Sequence, residues 1–280
     1  MNDSLNDHDQ SENPDACAQT AGFSAATRAH LARATAEFRF YEELNDFLPR
    51  ARRKRSFRYR CARRASVKQA IEAIGVPHTE VELILVNGRS VDFSHPVREG
   101  DRVSVYPQFE SLDITPLLRV RESPLRRIRF IADAHLAALA RYLRMLGFDT
   151  LLADRLDDGE IAGIAAGERR ILLSRDRELL KHRVITHGCY VHATKPRRQL
   201  EEIVARLDLL AAMTPFTRCM TCNAELADVD KDSIADRLPP GTLEYYDSFS
   251  RCPGCERVYW PGSHHRRMRA LIDALRRDGL

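Results

Sequence analysis

No apolar run in this 280-residue chain is long enough to span a bilayer, and the opening MNDSLNDHDQSENPDACAQT lacks the basic and apolar regions of a secretory signal. These absences speak against export and membrane insertion, and a cytoplasmic location is expected. Nor does the chain need disulfide staples, because 280 residues suffice for two or three domains with adequate cores. Four of its seven cysteines fall in two C-x-x-C pairs, a usage that suits a reducing compartment where thiols stay available to metals. Strong net charge is lacking too, at only +4. Clustering therefore matters more than the total. Nine of the fifteen residues from Arg50 to Arg64 are basic, interleaved with Phe57 and Tyr59. That stretch reads equally as a solvated arginine-rich hairpin or as an RNA-contacting surface.

What is present is ordinary globular composition, 44% hydrophobic and 30% charged. Residues 1–34 have no apolar periodicity and read as an unpacked tail that includes Cys17. From Ala36 the pattern sharpens into strand-like AEFRFYEEL and FRYRC. A helix SVKQAIEAIGV follows, with Val67, Ala70, Ile71 and Ile74 on one face and Ser66 as its cap. Then come VELILVNGRSV, where Asn87-Gly88 favours a tight hairpin, and a last strand in EGDRVSVYPQF. This order predicts a small β-grasp domain over 35–111, able to serve as a protein-interaction module.

The words FRFYEELNDFLP, GVPHTEVELILVNG and GDRVSVYPQFE resemble the ubiquitin-like module that precedes certain PIN-type RNase domains, and more distantly the small sulfur carriers. A sulfur carrier needs a free Gly-Gly carboxyl terminus, whereas here the last strand runs on through Pro107 and Phe109. Carrier chemistry is not expected.

Residues 112–126, with Pro116 and Pro124, read as a linker, after which strands and helices alternate. IRFIAD, FDTLLA, RRILLS and GCYVHAT are strand-like, and helices are predicted from HLAALARYLRMLG, Asp158–Ala166, Asp176–Lys181 and RRQLEEIVARLDLL. Such alternation predicts a parallel α/β sheet over 127–213. In that architecture functional groups gather where strands end and helices begin. Asp133 and Asp176 each follow a strand, and Asp157-Asp158-Gly159-Glu160 opens a helix. Each acid alone reads well as a helix cap, and Asp157 with Glu160 resembles a capping box. Together, converging carboxylates call for a hard cation such as Mg²⁺ or Mn²⁺.

In the last segment, 214–280, Cys219-x-x-Cys222 and Cys252-Pro-Gly-Cys255 form two knuckles suited to one structural zinc ion. Their wide separation implies an inserted loop, with LPPGTLEYYDSF the candidate. With four thiolates completing the shell, His264 and His265 are not needed as ligands. Tyr259 and Trp260 are expected to pack the ribbon against its neighbour, with RNA stacking as the alternative. Cys61 and Cys189 lie in predicted strands and read as small core residues.

FIADAHLAALARYLRMLGFDT, DDGEIAGIAAGERRILLSRDREL and CMTCNAEL through LPPGTLEYYDSFSRCPGCERVYWPGSHHRRM together resemble the mut-seven C-terminal RNase family of PIN-like domains. The resemblance implies a PIN-like sheet, a metal-dependent ribonuclease site and an appended zinc ribbon. It makes Asp133, Asp158 and Asp176 the candidate catalytic Mg²⁺ or Mn²⁺ ligands, with Asp157 as a register alternative to Asp158. Arg141, Arg175 and Arg177 flank these acids as candidate RNA phosphate contacts, while Arg144 reads equally as a solvated helix residue. The chain departs from the family pattern at Ala137-Ala138, where a small-then-basic pair is usual, and at Ser174, where Thr is typical. A non-catalytic RNA-binding or ribosome-associated adaptor is the alternative to an enzyme.

Overall fold

The computed structural model describes residues 34–62, 64–107, 120, 127–239 and 241–277. Nearly all of the predicted tail and linker lies outside them. Strand β1 (Thr35–Phe40) alternates as a half-buried strand should, with Ala36, Phe38 and Phe40 inside and Glu37 and Arg39 outside. It ends sooner than the run AEFRFYEEL predicts. The Asn45 side-chain amide takes the carbonyls of Phe40 and Glu42 (both 3.0 Å), and residues Glu42–Phe47 wind into a 3₁₀ turn. A local side-chain bond has displaced the ladder.

After β2 (Phe57–Arg60) comes helix α1 (Val67–Ile74), which buries the predicted apolar face and opens on a capping box between Ser66 and Gln69. Strands β3 (Leu83–Val86) and β4 (Arg89–Ser90) turn through Asn87 and Gly88, both at positive φ (51° and 80°), as a two-residue primed hairpin requires. Strand β5 (Arg102–Tyr106) then inserts parallel to β1, giving the order β2-β1-β5-β3-β4 of a β-grasp sheet.

The second unit is a four-stranded parallel sheet. Its elements run β6 (Arg129–Asp133), α2 (Ala137–Met145), β7 (Asp149–Ala153), α3 (Asp158–Gly167), β8 (Ile171–Ser174), α4 (Arg177–Leu180), β9 (Gly188–Tyr190) and α5 (Pro196–Arg206). The strand order is β7-β6-β8-β9. Side chains alternate across it. Phe130, Ala132, Leu173 and Cys189 meet α2 and α5 on one face, and Ile131 and Leu172 meet Ile161, Ala162 and Leu179 on the other. Gly147 (φ 95°) ends the α2 segment, and a Cβ there would collide with the Thr214 carbonyl, so this turn tolerates only glycine.

The cysteine-bearing segment forms a small antiparallel sheet of β10 (Ala227–Asp228), β11 (Ser250–Arg251) and β12 (Val258–Tyr259). The insertion between its knuckles is larger than LPPGTLEYYDSF. It adds a 3₁₀ segment, Lys231–Arg237, before the short α6 (Thr242–Tyr245), and is anchored by buried Ile234 and Phe249. Helix α7 (Ser263–Arg277) then returns to the parallel-sheet unit, where Ile272 and Leu275 join the core of α2 and α5.

The two larger units are docked by bonds that no local pattern in the sequence announces. Ahead of β3, His78 Nε2 bonds the Ile185 carbonyl (2.7 Å), and the side chain of Glu80 is fully buried. Glu80 accepts from Arg206 Nη2 (2.6 Å) and from the Tyr190 N–H. Phe47 meets Tyr190 edge-on at 5.2 Å.

Candidate functional site

Because β6, β7 and β8 are parallel neighbours, the residues following them share one edge of the sheet. Asp133 is the last residue of β6, and its side chain is 16% exposed. It starts a 3₁₀ turn but makes no cap bond. Instead Ser174, fully buried at the end of β8, donates its hydroxyl to Asp133 Oδ2 (2.7 Å) and accepts the Asp176 N–H (2.9 Å). One hydroxyl thus ties two strand-end aspartates together across adjacent strands. His135 Nδ1 lies 3.4 Å from Asp133 Oδ1, a neighbour that the sequence reading did not single out.

Asp176 also caps α4, its Oδ1 accepting from Glu178 N (2.7 Å) and Leu179 N (3.4 Å). At the start of α3 the cap is Asp157, in a reciprocal box with Glu160. Asp158 stands beside it, exposed, on the same edge, without a bond to Asp133 or Asp176. Among the described residues, three or more ligand atoms come within 4.8 Å of one another only at the four cysteines, so the aspartates form an open edge and not a closed cage.

The arginines divide. Arg141 is exposed. Arg175 Nη1 donates to the Ala193 carbonyl (2.6 Å), and Arg177 Nη1 to that of Phe47 (3.3 Å), with its guanidinium 5.0 Å from the Phe47 ring centre. Arg144 is neither a solvated residue nor a phosphate ligand. It is only 5% exposed and donates to the carbonyls of Thr150 (2.8 Å), Met220 (3.3 Å) and Thr221 (2.8 Å). An apolar-face pattern cannot reveal this, because two of the three acceptors come from the distant first cysteine knuckle.

That knuckle also reaches the sheet through Asn223. Its Nδ2 donates to Asp149 Oδ1 (2.7 Å) and its Oδ1 accepts the Thr150 N–H (2.9 Å). Burial would raise the Asp149 pKa, but the paired Arg170 guanidinium and Asn223 hold the carboxyl below its ordinary range. Asp149 begins β7, so the cysteine segment grips the end of the sheet opposite the aspartates.

The Sγ atoms of Cys219, Cys222, Cys252 and Cys255 all lie within 4.8 Å of one another, with 3.2 Å from Cys222 to Cys252 and 3.5 Å from Cys219 to Cys255. A tetrahedral ion with metal–sulfur bonds of about 2.3 Å needs sulfurs about 3.8 Å apart, so the cluster fits. Burial pushes the Cys219 thiol up, but the Tyr259 hydroxyl at 3.1 Å and backbone N–H groups outweigh it and bring it down to about 6. Cys222 is pushed up to about 12, chiefly by burial. A metal would need to displace its proton. His265 is not part of the cluster and packs on Phe216, with ring centres 4.2 Å apart and planes tilted by 38°. Tyr259 and Trp260 line a cavity of about 630 Å³ between the small sheet and α7.

A parallel α/β unit with strand-end aspartates, preceded by a β-grasp domain and carrying a four-cysteine cluster, is the class this architecture defines. Residues 128–272, just over half of the chain, match the Mut7-C RNAse domain, and residues 33–113 match the Mut7-C ubiquitin domain. The chain belongs to the Mut7-C RNAse domain family, with the ubiquitin-type domain ahead of the RNase domain. Comparisons with curated proteins and with solved structures give no match. Among the described residues no helix is long and apolar enough to cross a membrane.

Proposed function

We propose that the edge formed by Asp133, Asp158 and Asp176 hydrolyses RNA phosphodiester bonds with the help of Mg²⁺ or Mn²⁺, and that the cysteine cluster holds a structural zinc ion. The observation that carries the reading is the Ser174 hydroxyl bonded to both Asp133 and the backbone of Asp176. It fixes one carboxylate where a simple helix cap would not need it.

The donor chemistry fits a hard cation. Asp133 has Oδ1 outside its Ser174 bond, with His135 Nδ1 at 3.4 Å beside it, Asp176 has Oδ2 outside its cap bonds, and Asp158 is exposed. Magnesium sites commonly use one or two carboxylates and complete the shell with water and phosphate oxygens, so an open edge suits it better than a cage. Such a cation supplies a Lewis acid for the phosphoryl oxygen and lowers the pKa of water. The chain's own part is orientation: Ser174 holds Asp133, the α4 cap holds Asp176, and the exposed Arg141 is available to a phosphate.

The adaptor reading is favoured by Ala137-Ala138 and by the engagement of Arg175 and Arg177 in internal bonds. One assay separates the two. Asp133→Asn, Asp158→Asn and Asp176→Asn, compared on single-stranded RNA with Mn²⁺ and with chelator, should each lower cleavage roughly a hundredfold or more, about 3 kcal/mol of transition-state stabilisation. Without a metal to hold, the three changes would be nearly neutral: Asn caps about as well as Asp at position 176, an amide oxygen can still accept the Ser174 hydroxyl at position 133, and Asp157, not Asp158, caps α3. Undiminished cleavage in all three, or none by the parent, leaves the adaptor.

A further inference from the structure

The arginine-rich stretch takes no part in the aspartate edge, yet the fold ties the start of it to the residue that follows Asp176. Asn45 is the reason. Besides its two amide bonds, its Oδ1 accepts the Lys54 N–H (2.6 Å), which pins the loop between β1 and β2 to the buried floor of the β-grasp domain. Strand β2, which follows, is an outer edge of the sheet. Arg58 and Arg60 face outward, while the half-buried rings of Phe57 and Tyr59 are covered by the Arg52 guanidinium at 5.0 and 5.9 Å.

Few carboxylates answer these cations. Among the described residues from Arg50 to Arg64, only Arg53 has one within 4.0 Å, that of Asp46. Arg50, Lys54, Arg55, Arg58, Arg60 and Arg64 are exposed without such a partner. Uncompensated like charges repel one another and add nothing to folding, so their density calls for an external polyanion. Location narrows the choice. The Phe47 carbonyl accepts from Arg177, the residue after Asp176, and the next carbonyl, of Leu48, accepts from Arg53 (2.8 Å). The two guanidiniums thus take adjacent carbonyls of one short segment. The basic arm begins where the aspartate edge ends.

We infer that residues 50–60 of the β-grasp domain form a phosphate-binding track for the single-stranded RNA presented to that edge; this rests on reading the edge as a ribonuclease site. Arg52 already occupies the aromatic faces, so the track binds phosphates without stacking bases and ignores sequence.

The test is binding of a labelled 20-nucleotide RNA to the full chain in chelator, which separates binding from cleavage. Arg55→Ala, Arg58→Ala and Arg60→Ala combined should weaken binding roughly tenfold or more and flatten the salt dependence by about 2 in log–log slope, at about 0.7 per lost phosphate contact. The control removes equal charge from the exposed α7 residues as Arg266→Ala, Arg267→Ala and Arg276→Ala, and should bind like the parent. Both triple variants should melt like the parent. Equal weakening by both sets, no RNA binding by the parent, or poly-glutamate held as tightly through the same arginines would overturn the track. Arm-dependent binding by a parent that cleaves no RNA with Mn²⁺ sinks the ribonuclease reading instead, and metal-dependent cleavage with arm-independent binding sinks the track alone.

Discussion

Arg144 lies on a helix whose neighbours Leu139, Ala140 and Leu143 are core residues, and it is nearly as buried as they are. Burial pushes the pKa of its guanidinium down, but a guanidinium keeps its proton, and here three carbonyls receive its N–H groups. Replacing it with methionine would keep the stem volume and remove every donor. Arg144→Met should cost about 1–3 kcal/mol, because the buried Thr150 carbonyl loses its partner. Denaturant unfolding measures this directly, and a change under about 0.5 kcal/mol, typical of a solvated surface residue, would contradict the structural role. Ser174 works at the same scale and in the same manner. A hydroxyl with a donor and an acceptor function can serve a carboxylate and a backbone N–H at once, which makes the Ser-for-Thr departure chemically conservative.

The cysteine segment is the element whose stability depends most on something other than apolar burial. Its strands are two residues each, too short to hold together without a cross-link. Purified without chelator, the protein should carry one zinc per chain, and Cys252→Ser should lose it. Elemental analysis checks the stoichiometry. Hydrogen exchange should then show opening of residues 217–262 with the β-grasp sheet unchanged, since none of the β-grasp core residues come from the cysteine segment. Zinc retained at full occupancy by the variant would remove the cluster as its site. The segment grips the start of β7 through Asn223, far from the strand ends where the aspartates lie, so its loss should act on cleavage only through stability.

At the scale of the whole molecule the decisive contact is Glu80 with Arg206. The carboxylate is fully buried and bonded twice, and removing it takes the 2.6 Å partner from Arg206, leaving, among the described residues, only Glu202 at 3.7 Å. Glu80→Ala should therefore destabilise the full chain by about 3–5 kcal/mol, the usual cost of breaking a buried pair on one side. The β-grasp core itself is drawn wholly from Ala36 to Val105, with Val120 and Tyr190 packing against it from outside that range. Residues 34–107 expressed alone should melt cooperatively, with Glu80→Ala nearly neutral in that setting because water then solvates the carboxylate. An equal loss in both contexts would place the role of Glu80 inside the β-grasp domain.

The sequence by itself determined the elements and their classes, because these follow from periodicity and local chemistry. The apolar face of α1, the Asn87-Gly88 turn, the alternation of strands and helices from Arg129 and the two cysteine knuckles all depend on near neighbours in the chain. It also put Asp133 and Asp176 on one edge, since parallel strands have only one C-terminal end. What the tertiary structure decided were the partners of long polar side chains. Arg144, Arg175 and Arg177 look alike as sequence, and each found a carbonyl that only folding brought near. The early end of β1, the reach of α7 into the parallel-sheet core and the docking through Glu80 are of the same kind. Such bonds join residues far apart in the chain with no repeating pattern, so nothing local encodes them, and only the packed arrangement of domains selects which donor meets which acceptor.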